Sequence, residues 1–374
     1  MADYIHERAD WPKFTWKHES IFKPLGDIHL RQGRLLGRME SLGFAQRDEV
    51  VLKTLTQDVV RSSEIEGEIL NADQVRSSIA KRLGMDAAGL PQADRRVDGV
   101  VQMTLEATQN FSRPLTKERL WSWHSCLFPD APRNIRAGAW RDDSRGPMQV
   151  VSGGIGHERV HFEAPAASRI NAEMAAFFDR VNGSGDIDGV LRAAEAHLWF
   201  VTINPFDDGN GRIARAIADW ALARSENIPQ RYYSMSAQIR RERNEYYEVL
   251  ERTQKGTLEI TDWMLWFLSC LDRAITGAEE SLNVVFEKDR FWKTCAGRSL
   301  SDRQRLMLNK LLDGDFKGKL TSSKWAAITR CSQDTAHRDI MNLIEQGILV
   351  QDSSGGRSTS YSLRWPASGF EIQS

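Results

Sequence analysis

At 374 residues the chain is long enough for two or three domains with sizeable cores. A net charge of −1, with 27% charged and 41% hydrophobic residues, is the composition of a soluble globular protein and gives no whole-chain reason to expect a nucleic acid or a membrane as partner. Cys126, Cys270, Cys295 and Cys331 are too scattered for a zinc pattern or a disulfide framework, no run approaches about eighteen apolar residues, and the acidic start carries no secretory core, so a reducing, cytoplasmic location is expected.

Taken in order, residues 1–25 interleave Trp11, Phe14, Trp16 and Phe22 with Pro12 and Pro24, which predicts an irregular but ordered arm packed on another part of the chain. Apolar residues at 28, 35, 36, 39 and 42 predict a helix over 27–42 that stops at Gly43, and a second follows over 46–60. It runs into the acidic stretch Arg61-Ser62-Ser63-Glu64-Ile65-Glu66-Gly67-Glu68. Helical patterns continue over 73–83 and 95–110, and again to Leu127 behind Thr116 as N-cap. There His124 lies among Leu120, Trp123 and Leu127 and reads as a packed core residue.

Residues 138–163 break the helical pattern. Two β-prone runs, 148–152 and 159–163, flank Gly153-Gly154-Ile155-Gly156-His157, a hairpin signal, with His157 and His161 expected at the surface. Helices are expected over 166–181 and 189–202, and the second delivers the chain to Ile203-Asn204-Pro205-Phe206-Asp207-Asp208-Gly209-Asn210-Gly211-Arg212-Ile213-Ala214-Arg215. Pro205 ends what precedes it, Gly209 and Gly211 permit a tight turn, and an Ala-rich helix begins at Arg212. First-turn amides lack intrahelical partners and the helix dipole is positive there, so this turn suits an anion. Arg212 and Arg215 share a face near that end, and Asp208 stands at its mouth, which points to a nucleotide with a divalent metal.

Beyond the turn, a helix over 234–253 carries Asn244, Tyr246 and Tyr247, and a Trp- and Leu-rich helix runs from 261 toward 291 as a buried helix or a dimer face. A boundary is expected at 297–300. Three helices (302–312, 322–329 and 332–346) and two strands (348–351 and 360–363) around Ser353-Ser354-Gly355-Gly356 resemble a winged helix-turn-helix. Residues 301–365 hold ten Lys and Arg against seven Asp and Glu, a balance of only +3, which is thin for DNA binding. Gln333, Thr335, His337 and Arg338 would face a groove; protein docking is the preferred use and DNA the alternative.

The 203–215 stretch resembles the signature of the Fic family, H-P-F-x-[D/E]-G-N-G-R-x-x-R, at every fixed position except Asn204, where the family has histidine. The resemblance implies a mainly α fold, a Fic-type helical bundle with a β-hairpin flap, followed by the small C-terminal winged module. The expected domains are 1–110 with an inhibitory motif, 111–296 as Fic core, and 297–374. Ser62, Glu66 and Gly67 fit the family's inhibitory pattern [S/T]-x-x-x-E-[G/N], in which the glutamate pairs with the last signature arginine, here Arg215, through a bidentate contact. The hairpin resembles the flap that clamps a target segment by strand addition, placing Val150, Val151 and Gly153 near the site. Asn244 and Tyr247 fit the family's N-x-x-Y pattern at the adenine and ribose.

Carried over by position, the resemblance implies transfer of AMP from Mg–ATP to a Ser, Thr or Tyr hydroxyl of a target protein, self-modification included. Asp208 would bind Mg2+, Gly209, Asn210 and Gly211 would hold phosphate oxygens, Arg212 the β-phosphate and Arg215 the γ-phosphate. The family histidine takes the hydroxyl proton. Asn204 cannot, because a carboxamide does not titrate near neutral pH, and loss of general-base catalysis costs about 10²–10⁴ in rate. His197, seven residues earlier on the preceding helix, is too distant to substitute. The alternative is a nucleotide-sensing, DNA-binding regulator without transferase activity.

Overall fold

Helical periodicity becomes helix through most of the chain, and the computed structural model describes residues 4–153, 157, 159–183, 187–312, 316, 318–352 and 359–364. The expected hairpin tip at 154–156 and the wing turn at 353–356 lie outside the described residues. Two compact units divide the chain, Met1–Glu279 and Glu280–Ser374.

The first unit holds α1 (His18–Glu40), α2 (Phe44–Ile65), α3 (Ala72–Leu83), α4 (Arg95–Gln109), α5 (Lys117–Leu127), the hairpin β1 (Gln149–Ser152) and β2 (Arg159–Glu163), α6 (Ile170–Asn182), α7 (Gly189–Ile203), α8 (Asn210–Glu226), α9 (Met235–Arg241), α10 (Arg243–Gln254) and the first part of α11 (Thr261–Thr294). Short polar residues begin several of these. Asn71 caps α3, Asp94 caps α4, Thr116 caps α5 and Asp188 caps α7, each accepting a first-turn N–H.

At the centre α7 and α8 pack along one another, both buried over nearly their whole length. Alanines 214, 216, 218, 221 and 223 keep α8 thin enough for that approach. Trp123, Trp220 and Trp263 fill the surrounding core, and the Trp263 indole donates to the Ala194 carbonyl at 2.8 Å. Around this pair, α2 lies on α9 and α3, and α4 lies on α5 and α8.

Three expectations are corrected. The arm ends earlier than expected, because α1 starts at His18 and accommodates Pro24; Ile21, Ile28 and Leu35 form one buried stripe that the proline disguised. Before it, residues 4–17 do pack as an ordered arm, with the Thr15 N–H on the Leu258 carbonyl and the Ile260 N–H on the Thr15 carbonyl, both at 2.8 Å. The second helix persists through Ser62, Ser63 and Glu64 to Ile65. The 234–253 helix is two, broken where Glu242 leaves helical geometry (φ −108°, ψ 28°).

In the second unit α12 (Asp302–Leu312), α13 (Ser322–Thr329) and α14 (Gln333–Glu345) precede the antiparallel pair β3 (Leu349–Gln351) and β4 (Tyr361–Leu363). Met307, Leu308, Trp325, Ile340, Leu343 and Leu349 form its core. Among the described residues no helix is long and apolar enough to cross a membrane.

Candidate functional site

The site begins where α7 stops. Asn204 adopts a left-handed conformation (φ 46°, ψ 62°) and its N–H donates to the Phe200 carbonyl at 3.0 Å, ending the helix before Pro205. Asn and His are among the few side chains that tolerate this region readily. Gly209, at φ 77°, makes the second sharp turn. Between them Asn210 acts as a strut: Phe206 N–H donates to its Oδ1 at 3.0 Å, and its Nδ2 donates to the Phe206 carbonyl at 2.8 Å.

Two buried side chains, His124 and Arg141, brace this loop from outside. His124 stacks on Phe206, with ring centroids 4.1 Å apart and planes 5° from parallel. Its Nδ1 accepts the Gly138 N–H at 3.0 Å, so Nε2 carries the proton and donates to the Asp208 carbonyl at 3.2 Å. Burial lowers its pKa to about 4, which keeps it a neutral donor. It is the packed core histidine expected, with the added work of holding the loop. Arg141, 4% exposed, donates through Nε to the Asn204 carbonyl at 2.7 Å, and its backbone N–H donates to the Pro205 carbonyl at 2.9 Å. With the loop held this way, the first amides of α8 lack helical partners, and Asp208 is exposed with Oδ1 accepting the Gly209 N–H at 2.6 Å.

The acidic finger arrives from α2. Gly67 N–H donates to the Glu64 carbonyl at 3.1 Å and Glu68 N–H to the Ser63 carbonyl at 3.0 Å, a Schellman closure in which Gly67 takes the left-handed position at φ 83°. The turn swings two carboxylates onto the two signature arginines. Glu66 Oε1 lies 2.8 Å from Arg215 Nη1, and Glu68 Oε2 lies 2.6 Å from Arg212 Nη1. Arg96 grips the other oxygen of Glu68. The Arg215 contact differs from the side-on bidentate pair expected: its Nε and Nη2 donate instead to the Ser62 hydroxyl at 2.9 Å and the Ser62 carbonyl at 2.8 Å. A Cβ on Gly211 would sit 2.1 Å from Glu66 Oε1, so a larger residue there would displace the Glu66 carboxylate from its place.

A cavity of about 850 Å³ gathers Glu66, Asn204, Gly211, Val150, Val151, Asn244 and Tyr247 among its lining residues. Asp208, Gly209, Asn210, Arg212 and Arg215 are not on that lining; they connect to it through the loop and the finger. Gly153 is exposed at the hairpin end, at φ 108°. Both tyrosines reach the cavity wall, Tyr246 as a buried ring packed against Trp263 and Trp266 and Tyr247 beside it. His197 is sealed in the core on the Tyr246 hydroxyl at 3.0 Å, its pKa lowered to about 3 by burial and then by Arg215, so it does not stand in for a base at 204. His161 is only partly exposed and bonded through both ring nitrogens, not a free surface residue. Glu68, Arg141 and the His161 cluster escaped the sequence reading because their partners lie far along the chain.

Residues 114–222, from just before α5 into the last turns of α8, match the Fic/DOC family. They are a Fic/DOC family domain. The matched stretch therefore contains the β1–β2 hairpin, the loop after α7, Arg212 and Arg215. Residues 4–85 match a separate domain of unknown function (DUF4172), and the acidic finger belongs to that stretch. The chain is similar to a protein adenylyltransferase Fic of Aedes aegypti, 24% identical over 224 residues, 59% of this chain and 40% of that protein. It is also similar to a uridine 5'-monophosphate transferase of Xanthomonas campestris pv. campestris (strain 8004), 27% identical over 124 residues, 30% of this chain and 21% of that protein. The chain thus spans well under half of either curated relative. Its fold is that of a Fic family protein from Desulfovibrio desulfuricans G20, with a TM-score of 0.55 and 21% identity over 96% of this chain and 99% of that one.

Proposed function

We propose that the chain is a Fic-type protein adenylyltransferase, moving AMP from Mg–ATP to a Ser, Thr or Tyr hydroxyl of a protein, held off by Glu66 and weakened at Asn204. One observation carries this reading: Glu66, a cavity-lining carboxylate from outside the Fic domain, occupies Arg215, the cation that a bound triphosphate would need. A carboxylate and a phosphate compete for a guanidinium on equal chemical terms. In this reading the amides of Gly209, Asn210 and Gly211 and the guanidiniums of Arg212 and Arg215 hold phosphate oxygens once the finger withdraws.

Magnesium fits the donors at hand. Asp208 offers one exposed carboxylate, and Mg2+ is commonly held by one or two carboxylates with water and substrate phosphates completing its shell. Held by Asp208, it would neutralise phosphate charge. Asn204 can orient an incoming hydroxyl by hydrogen bonding but cannot take its proton.

The test has two parts. Calorimetry should detect Mg–ATP binding to Glu66→Gly and little to the parent chain. With α-labelled ATP and candidate target proteins, adding Asn204→His should speed transfer about 10²–10⁴-fold. UTP run in parallel decides the base, given the uridylyl relative. A chain lacking Glu66 that binds neither nucleotide ends this reading.

A further inference from the structure

The cavity carries a second set of reactive groups on the hairpin wall. Ser152 Oγ lies 2.5 Å from His161 Nε2, and His161 Nδ1 lies 2.6 Å from Glu251 Oε2. The three come from β1, β2 and α10, and all line the cavity that Asn204, Glu66 and Gly211 also line. The register Val150↔Phe162 and Val151↔Val160 leaves His161 opposite no residue, as the extra residue of a β-bulge, a feature used to re-aim a side chain.

Chemistry fixes the proton positions. An ionised carboxylate only accepts, so His161 carries its proton on Nδ1 and leaves the Nε2 lone pair facing the Ser152 hydroxyl. Burial pushes the Glu251 pKa up, but hydrogen bonds from Lys255 and His161 outweigh it and bring it to about 2. Lys255 Nζ at 2.7 Å and Arg159 Nη2 at 3.2 Å hold the other oxygen of Glu251 and fix its plane. Nucleophile, base and orienting acid are therefore in sequence, in the arrangement that activates a serine.

We propose that Ser152 is a self-modification site: His161, oriented by Glu251, deprotonates its hydroxyl, which then accepts the nucleotidyl group of a nucleotide bound in the shared cavity. This rests on the nucleotide-transfer reading above. The Oγ proton passes to His161 Nε2 while an Oγ lone pair forms the bond to the α-phosphorus. The bond from that phosphorus to the bridging oxygen of the β-phosphate breaks, pyrophosphate leaves with the electron pair, and His161 returns its proton to solvent. Asn204 removes the base for a target's hydroxyl and leaves untouched the base for the hairpin's own.

The experiment uses the full chain carrying Glu66→Gly with Asn204 unchanged, incubated with magnesium and α-labelled ATP and mapped by peptide mass spectrometry. A nucleotide adduct on Ser152 is expected, lost in Ser152→Ala, retained in Ser152→Thr, and formed about 10²–10⁴-fold more slowly in His161→Gln. Its first-order rate should not depend on protein concentration. Glu251→Gln should slow it as well, with melting curves like those of the parent. An adduct on another residue, or a rate unchanged by His161→Gln, overturns the proposal. Mg–ATP binding seen by calorimetry without any Ser152 adduct overturns it and leaves the transferase reading standing, whereas absence of binding removes both.

Discussion

Gly67 closes the turn that carries both carboxylates of the finger, so under the proposed autoinhibition its replacement should open the site. At φ 83° it occupies the left-handed position of the Schellman turn, and a Cβ there would meet no atom within 4 Å. Gly67→Ala therefore brings no clash. Its cost is the backbone conformation alone, about 1–2 kcal/mol for a residue with a Cβ. That cost falls on the closed finger only, because an open one is free to leave the left-handed region. With each 1.4 kcal/mol worth a factor of ten, the closed-to-open ratio falls roughly 5- to 30-fold. While the closed form dominates, apparent affinity follows the competent fraction, so Mg–ATP should bind tighter by up to that factor. Calorimetry on the parent, Gly67→Ala and Gly67→Asn reads it directly, with Asn, which tolerates the left-handed region, giving a smaller gain. Unchanged affinity in a normally melting Gly67→Ala protein, or equal gains from Asn and Ala, would refute this role of Gly67.

Other consequences follow from the same contacts. Glu68→Gln should release Arg212 and raise affinity for ATP several-fold, about 1 kcal/mol, while leaving AMP, which has no β-phosphate, unaffected; equal gains for both would show the pair to be structural. Arg141→Ala strips the donor from the buried Asn204 carbonyl and from the Pro165 carbonyl and should cost about 2–4 kcal/mol in denaturant unfolding, with nucleotide affinity falling in parallel. His124 is neutral when folded until about pH 4, against 6.5 in the unfolded chain, so between these values the unfolded state binds the extra proton. Its contribution is full above pH 6.5, declines as pH falls to about 4, and is worth about 3 kcal/mol over that window. His124→Asn should flatten that part of the stability profile, and a profile unchanged by the substitution would refute it.

Much of this protein is legible in its residues because the relevant physics is local. Pro205, Gly209 and the alanines after Arg212 encode a turn into a helix, and Gly209 and Asn204 do adopt the left-handed angles that such a turn needs. Apolar periodicity placed α3, α4, α7 and the helices of the second unit, and alternation with glycines placed the hairpin. Locality also explains the failures: Pro24 hid the start of α1, and Glu242, whose type favours helix, ends one.

What only the tertiary structure decided is which distant groups meet. Glu68 reaches Arg212 across 144 residues and His161 reaches Glu251 across 90, and in isolation each reads as one more charged or polar residue on a solvated stretch. Periodicity says which face of an element is buried; it carries no information about which side chain of another element lies opposite. The sequence by itself determined a phosphate-suited turn flanked by two arginines. Packing of α2, α10 and the hairpin around that turn decided that both arginines are held by carboxylates, and that a serine, a histidine and a glutamate share its cavity, because ion pairs and hydrogen bonds form by proximity in space.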